Sequence, residues 1–171
     1  MKSVALNAEE AAYEAVIQQF EHPVFNFVSQ LVDDPSDAVD VVQDVFLEVF
    51  RNIAILRDET TLKTWVYRIA VNEARKRRRR RPPVKAMGAL ETRTPVEEAL
   101  NSLNLKLRIP LVLREMEGLS CEKIAEILGV SACTVSSRLL RGWDALKEHL
   151  AGRLDPASVP EAAAFAAIEF L

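Results

Sequence analysis

Residues 119–150 read LSCEKIAEILGVSACTVSSRLLRGWDALKEHL, and this stretch decides the fold. Ser120 stands where an N-cap is needed, ahead of the apolar positions Ile124, Ala125, Ile127 and Leu128. Gly129 supplies a sharp turn, because a residue without Cβ takes a positive φ at no steric cost. Ser131 caps a second helix whose Val135, Leu139 and Leu146 face inward. Ala125, Gly129 and Val135 stand at i, i+4 and i+10. That spacing suits two crossing helices: a small residue at the contact, glycine in the turn, and a β-branched wedge behind it. The outer face of the second helix carries Ser131, Thr134, Ser136, Ser137, Arg138 and Arg141. These side chains suit phosphates and base edges in a major groove. With few basic residues and Asp144 opposing them, such a unit should bind DNA weakly by itself.

Upstream, Val96–Leu103 predicts a short helix. Leu105–Glu117 predicts a longer one, in which Pro110 implies a kink or a late start and Gly118 the stop. Residues 82–95, PPVKAMGALETRTP, hold three prolines and no sustained period. They read as a linker, about 45 Å long if fully extended.

Before the linker lies TLKTWVYRIAVNEARKRRRRR, residues 61–81. Leu62, Trp65, Val66, Ile69 and Ala70 recur at helical spacing as an apolar stripe. Lys63, Thr64, Arg68, Asn72, Arg75 and Lys76 fall elsewhere, offering cations and an amide to phosphates and base edges. Trp65 lies on the stripe, which leaves Tyr67 as the better exposed candidate for base stacking. Pro82-Pro83 should stop this helix.

Residues 37–53, DAVDVVQDVFLEVFRNI, form another helix. It has a broad apolar band of Val41, Val42, Val45, Phe46, Val49 and Phe50, and an acidic side of Asp37, Asp40, Asp44 and Glu48 beside Gln43. Ser36 is its expected cap, after the turn Asp33-Asp34-Pro35. Residues 8–32 predict a first helix with Ala12, Val16, Phe20, Val24, Phe27 and Leu31 inward, interrupted or kinked near Pro23. With few glycines and no β-branched alternation, the expected fold class is all-α. Two small helical domains, at 8–81 and 96–152, are joined by the 82–95 linker, with a short Ala-rich tail at 153–171.

Charge is unevenly spread over the 171 residues, whose formal net charge is −3. Residues 1–74 hold 5 basic and 13 acidic side chains, whereas residues 75–85 hold 8 basic and no acidic ones. An acidic front and a basic hinge imply at least two different partners. The 2 cysteines and 2 histidines have no metal-ligand spacing, so no metal or other cofactor is expected. Sparse cysteines fit a reducing cytosol. The N-terminus turns acidic without an apolar signal core, and no run approaches the roughly 20 apolar residues that span a bilayer. The expectation is a cytoplasmic protein without membrane insertion. No nucleophile–base pair is present, so no catalytic residue is assigned and no enzyme is expected.

Jointly, Asp37–Leu47, Trp65–Asn72, Arg114–Ser120 and the run through Leu139 resemble the extracytoplasmic-function sigma factors of bacterial RNA polymerase, over roughly residues 10–150 and in that family's order. The resemblance implies a subunit that recognises the −10 and −35 promoter elements and assists DNA melting. It places core polymerase docking, on the β′ clamp helices, at Asp37, Asp40, Gln43, Asp44, Phe46 and Leu47. It places −10 recognition at Arg57 of the 54–60 loop and at Lys63, Thr64, Tyr67, Arg68, Asn72, Arg75 and Lys76. The second domain would bind the β flap and read the −35 element through Ser131, Thr134, Ser136, Ser137, Arg138 and Arg141. An anti-sigma factor is a further conceivable partner. Family members commonly carry Gly where Cys133 stands, a basic residue at Ser136, and more basic residues around Gly142-Trp143-Asp144. The residues alone also fit a stand-alone helix-turn-helix regulator that dimerises, or an arginine-rich RNA-binding adaptor.

Overall fold

The computed structural model describes residues 2–53, 59–80 and 94–151, and every regular element among them is an α-helix. The all-α expectation holds for these residues. The order is α1 (Lys2–Ser29), α2 (Pro35–Asn52), α3 (Glu59–Arg80), α4 (Pro95–Ser102), α5 (Leu105–Glu117), α6 (Cys121–Leu128) and α7 (Ala132–Leu150). α1, α2 and α3 pack together as one compact unit; α5 and α4 pack on α7 in the other. The linker lies almost wholly outside the described residues, as does the tail from residue 152.

Of the interruption or kink expected at Pro23, α1 rules out the interruption, because the helix runs through it without a break. Proline removes one backbone donor, which costs a helix about 3 kcal/mol in isolation. Here Phe20, Val24, Phe27 and Val28 are all buried around it, and that packing outweighs the local penalty. Ala12, expected inside, is exposed.

α2 begins two residues earlier than expected. Its cap is Asp34, not Ser36: Asp34 Oδ1 accepts from the Ser36 backbone N–H at 2.8 Å and from its hydroxyl at 2.8 Å. Pro35 explains the shift, since the first helical position needs no N–H donor and favours proline's fixed φ. The apolar band is buried from Val41 to Val49, while Phe50 remains 56% exposed and meets the Tyr13 ring edge-on at 5.0 Å.

α3 packs against both α2 and α1. Its buried arc is therefore wider than one stripe, taking in Thr64, Val66, Tyr67, Ile69, Ala70, Val71 and Ala74. In the second unit, Thr94 and Glu97 form a capping box on α4, and Asn104 caps α5 through the Leu107 N–H at 3.2 Å. α5 continues through a buried Pro110 and ends at Gly118, whose φ of 62° allows the closing turn.

Arg108 is fully buried. Its guanidinium donates to Asn101 Oδ1 at 2.9 Å and to the backbone carbonyls of Asn101 and Leu103, the latter at 3.0 Å. A cation is thus held at the carboxyl end of α4, where the last carbonyls need donors and the helix dipole favours positive charge.

Candidate nucleic-acid interfaces

The α6–turn–α7 unit forms as its residues dictate. Ser120 Oγ accepts from the Lys123 N–H at 3.3 Å, Gly129 takes φ 65°, and Ser131 Oγ accepts from the Thr134 N–H at 3.1 Å. The Ser120 hydroxyl also bonds the Glu122 carboxyl, which is the main reason its pKa lies below the ordinary value. Val135, Leu139 and Leu146 are buried, as their spacing requires.

On the outer side of α7, Ser137 and Arg141 are exposed, while Thr134 and Arg138 are half-buried. Two of the expected contacts are already engaged. The Ser131 hydroxyl is spent on the cap and on Thr134 Oγ1 at 2.8 Å. Ser136 turns back, donating to the Ala132 carbonyl at 3.1 Å and approaching Cys121 Sγ at 3.7 Å. Cys133, and Leu140, which the sequence reading passed over, stand exposed beside Ser137 and Arg141. A leucine among the polar residues of the outer face of α7 was a readable signal.

On α3, Arg68, Asn72 and Lys76 are exposed and four residues apart, which sets them in one row along the helix. Lys76 Nζ lies 2.6 Å from Glu73 Oε1. Arg75 and Lys63 are half-buried, with the Lys63 ammonium 5.8 Å from the centroid of the Tyr67 ring. The expectation of an exposed Tyr67 is corrected. The residue is fully buried with its ring edge-on to Phe27 at 5.2 Å, so it has no face on which a base could stack. Thr64 is buried as well. The cause is the second neighbour of α3, which covers a sector that a single stripe would leave open. Arg57 lies outside the described residues.

The basic run at the end of α3 divides. Arg77 hydrogen-bonds Asp40 and lies 3.8 Å from Asp37, while Arg78 donates to the Leu31 carbonyl at 3.2 Å and lies 3.9 Å from Asp33. Arg79 and Arg80 are exposed.

On α2, Asp40, Gln43, Asp44 and Leu47 are exposed, but Asp37 and Phe46 are buried. Those two are corrected as surface contacts: Asp37 sits under Arg77, and Phe46 belongs to the core. The exposed face is more apolar than its acids suggested, since Val39 (46%) and Phe50 (56%) join Leu47 (52%) on the surface. Beside it, a cavity of about 430 Å³ between α1 and α2 is lined by Glu21, His22, Phe25, Val39, Val42 and Gln43. Among the described residues no acid, cysteine or histidine cluster could hold a metal, and no helix is long and apolar enough to cross a membrane.

Residues 16–82 match the family model for sigma-70 region 2, and residues 93–146 that for sigma-70 region 4. The chain belongs to the sigma-70 family of RNA polymerase sigma factors. Within that family it is an extracytoplasmic-function (ECF) sigma factor. It is 31% identical over 165 residues to the ECF RNA polymerase sigma-E factor of Escherichia coli, covering 81% of this chain and 86% of the relative. The RNA polymerase sigma-H factor of Pseudomonas aeruginosa is 29% identical over 169 residues, covering 83% and 88%.

The fold is shared with the Bartonella quintana sigma factor RpoE, solved in complex with the anti-sigma factor NepR, at a TM-score of 0.68 and 24% identity. That match covers 83% of this chain and 98% of the other. CnrH, solved with the cytosolic domain of CnrY, gives a TM-score of 0.70 at 23% identity, covering 85% and 91%. The protein binds core RNA polymerase and DNA and directs promoter recognition, region 2 serving the −10 element and region 4 the −35 element. It is a non-catalytic subunit.

Proposed function

We propose that the row Arg68–Asn72–Lys76, flanked by Lys63 and Arg75, recognises and helps to open the −10 element, and that Arg57 takes part. Ser137, Arg138 and Arg141 contact the −35 element, with Thr134 beside them. The observation that carries this is the division of surfaces in the first unit. Cations and an amide lie exposed along α3, and exposed acids mixed with apolar side chains lie along α2. The first surface suits phosphates and base edges. The second suits a protein partner, because mixed apolar and charged exposure gives both buried area and orientation.

On this reading Asp40, Gln43, Asp44 and Leu47, with Val39 and Phe50, dock on the β′ clamp helices, and the region 4 unit docks on the β flap. Opening DNA without ATP requires binding energy to be spent on unstacking, a few kcal/mol per extruded base. Cations along the displaced strand supply part of it. The protein acts in the cytoplasm, where its polymerase is, and an anti-sigma factor would compete for these same faces. The experiment is promoter-specific transcription with core polymerase, using the double substitution of Asp40 and Asp44 by Lys. It should abolish holoenzyme formation with helicity unchanged; undiminished core binding would remove the docking assignment.

A further inference from the structure

We infer that Arg77 is an internal latch on the docking face of α2, ion-paired to Asp40 in the free protein and released towards nucleic acid when a cationic partner surface takes Asp40. The inference rests on the proposed role of α2 in polymerase docking.

The geometry separates Arg77 from its neighbours. The Arg78 side chain is 18% exposed and anchored on a backbone carbonyl at the α1–α2 corner, where nothing invites it to move. Arg79 and Arg80 are exposed and already available to phosphates. Arg77 lies between these states. Its side chain is 27% exposed, its hydrogen-bonded anchor is Asp40, and Asp40 is itself 54% exposed. The other acid, Asp37, is an ion-pair neighbour at 3.8 Å, too long for a hydrogen bond. Asp40 is therefore both the stronger hold on Arg77 and the acid a partner can reach.

Two cations on one carboxylate repel each other, so a partner cation at Asp40 weakens the grip on Arg77. A freed Arg77 adds one cation to the exposed pair that follows it, at the basic end of α3. The coupling is reciprocal: DNA that takes Arg77 must strengthen docking by the factor with which docking strengthens DNA binding. For a partly exposed pair that factor is about two- to fivefold.

The test uses the full chain, core polymerase and a non-specific DNA duplex. Asp40→Asn should raise the free protein's affinity for the duplex about two- to fivefold, and steepen its salt dependence by up to about one ion. Asp44→Asn, which removes the same charge from the same face without touching Arg77, measures the contribution of net charge alone. Arg77→Gln should raise affinity for core polymerase about two- to fivefold, and Arg77→Lys should fall between it and wild type. Combining Asp40→Asn with Arg77→Gln should erase the gain on DNA. The latch is overturned if Asp40→Asn binds DNA no better than Asp44→Asn, or if Arg77→Gln binds core no better than wild type. Failure of the docking assignment would look different. Asp44→Asn would then leave core affinity intact, whatever Asp40→Asn does on DNA.

Discussion

Gly142 of α7 lies directly against Leu111 of α5: a Cβ added at Gly142 would stand 2.6 Å from Leu111 Cδ1 and 3.1 Å from its Cγ. Both residues are buried. This contact lets the two longest helices of the region 4 unit approach closely, and it changes how the end of α7 is read. A side chain at position 142 would point into α5, so the lack of a basic residue there costs no DNA contact. Of Gly142, Trp143 and Asp144, the exposed Asp144 is the one that works against phosphate binding.

Gly142→Val should therefore destabilise the region 4 unit by about 1–3 kcal/mol through overpacking. Gly142→Ala should cost less, because alanine recovers up to about 1 kcal/mol of helix propensity. Denaturant unfolding followed by circular dichroism checks the order. A valine variant as stable as wild type would mean that Leu111 can move aside freely.

Arg108→Met should lower the stability of the same unit, because the carbonyls of Asn101 and Leu103 lose their donor inside the protein. Leaving a buried acceptor unsatisfied costs about 1–3 kcal/mol. Arg108→Lys should not restore it, since an ammonium cannot reproduce the planar fork that reaches the Asn101 side chain and two carbonyls. The loss should persist in high salt, where a surface charge effect would fade.

Tyr67→Ala should act on stability before it acts on promoter opening. Truncating a fully buried aromatic that packs on Phe27 costs about 3–5 kcal/mol. Tyr67→Phe should keep transcription near wild type. If Tyr67→Ala left the unfolding midpoint alone and abolished opening, the residue would be a stacking platform after all.

These outcomes trace where the sequence was legible. The helix-turn-helix could be read because its cap, turn glycine and wedge all act within a few residues of one another. The capping box of Thr94 and Glu97 was equally local, but Thr94 fell in the segment read as linker. Tyr67 was misplaced because the covering of α3 by two helices is a long-range fact. Pro23 and Pro110 obey the same logic, with tertiary burial overriding a local penalty. The pairing of Arg77 with Asp40 spans 37 residues of chain, so no local pattern in the basic run showed which of its arginines meets an acid.

Asn72 and Lys76 should separate by type of contact. Asn72→Ala should cost about 1–3 kcal/mol at one promoter position and little at others, as loss of a base contact does. Lys76→Ala should weaken binding on all promoters and lower the salt slope by about one. Affinity of holoenzyme for single-base promoter variants across a salt series makes the distinction. Equal losses on every variant for Asn72→Ala would move it to the phosphate class.

The final prediction concerns the two DNA-binding units together. The 14 residues of the sequence at 82–95 would reach about 45 Å if fully extended, and the region 4 unit alone offers few cations to DNA. Core polymerase, by holding both, turns the second promoter contact into an intramolecular one at high effective concentration. Specific binding should then be weak for the free protein and strong in holoenzyme. Because polymerase sets the separation, changing the spacer between the −10 and −35 elements by a few base pairs should sharply reduce initiation. Adding a few Gly/Ser residues to the linker should hurt far less, since each doubling of loop length costs only about 0.6 kcal/mol. Transcription from a series of spacer lengths, with wild-type and lengthened linkers, measures both effects. Indifference to spacer length would show that the two units do not engage the promoter simultaneously, and equal sensitivity to linker length would show that the linker, not polymerase, sets their separation.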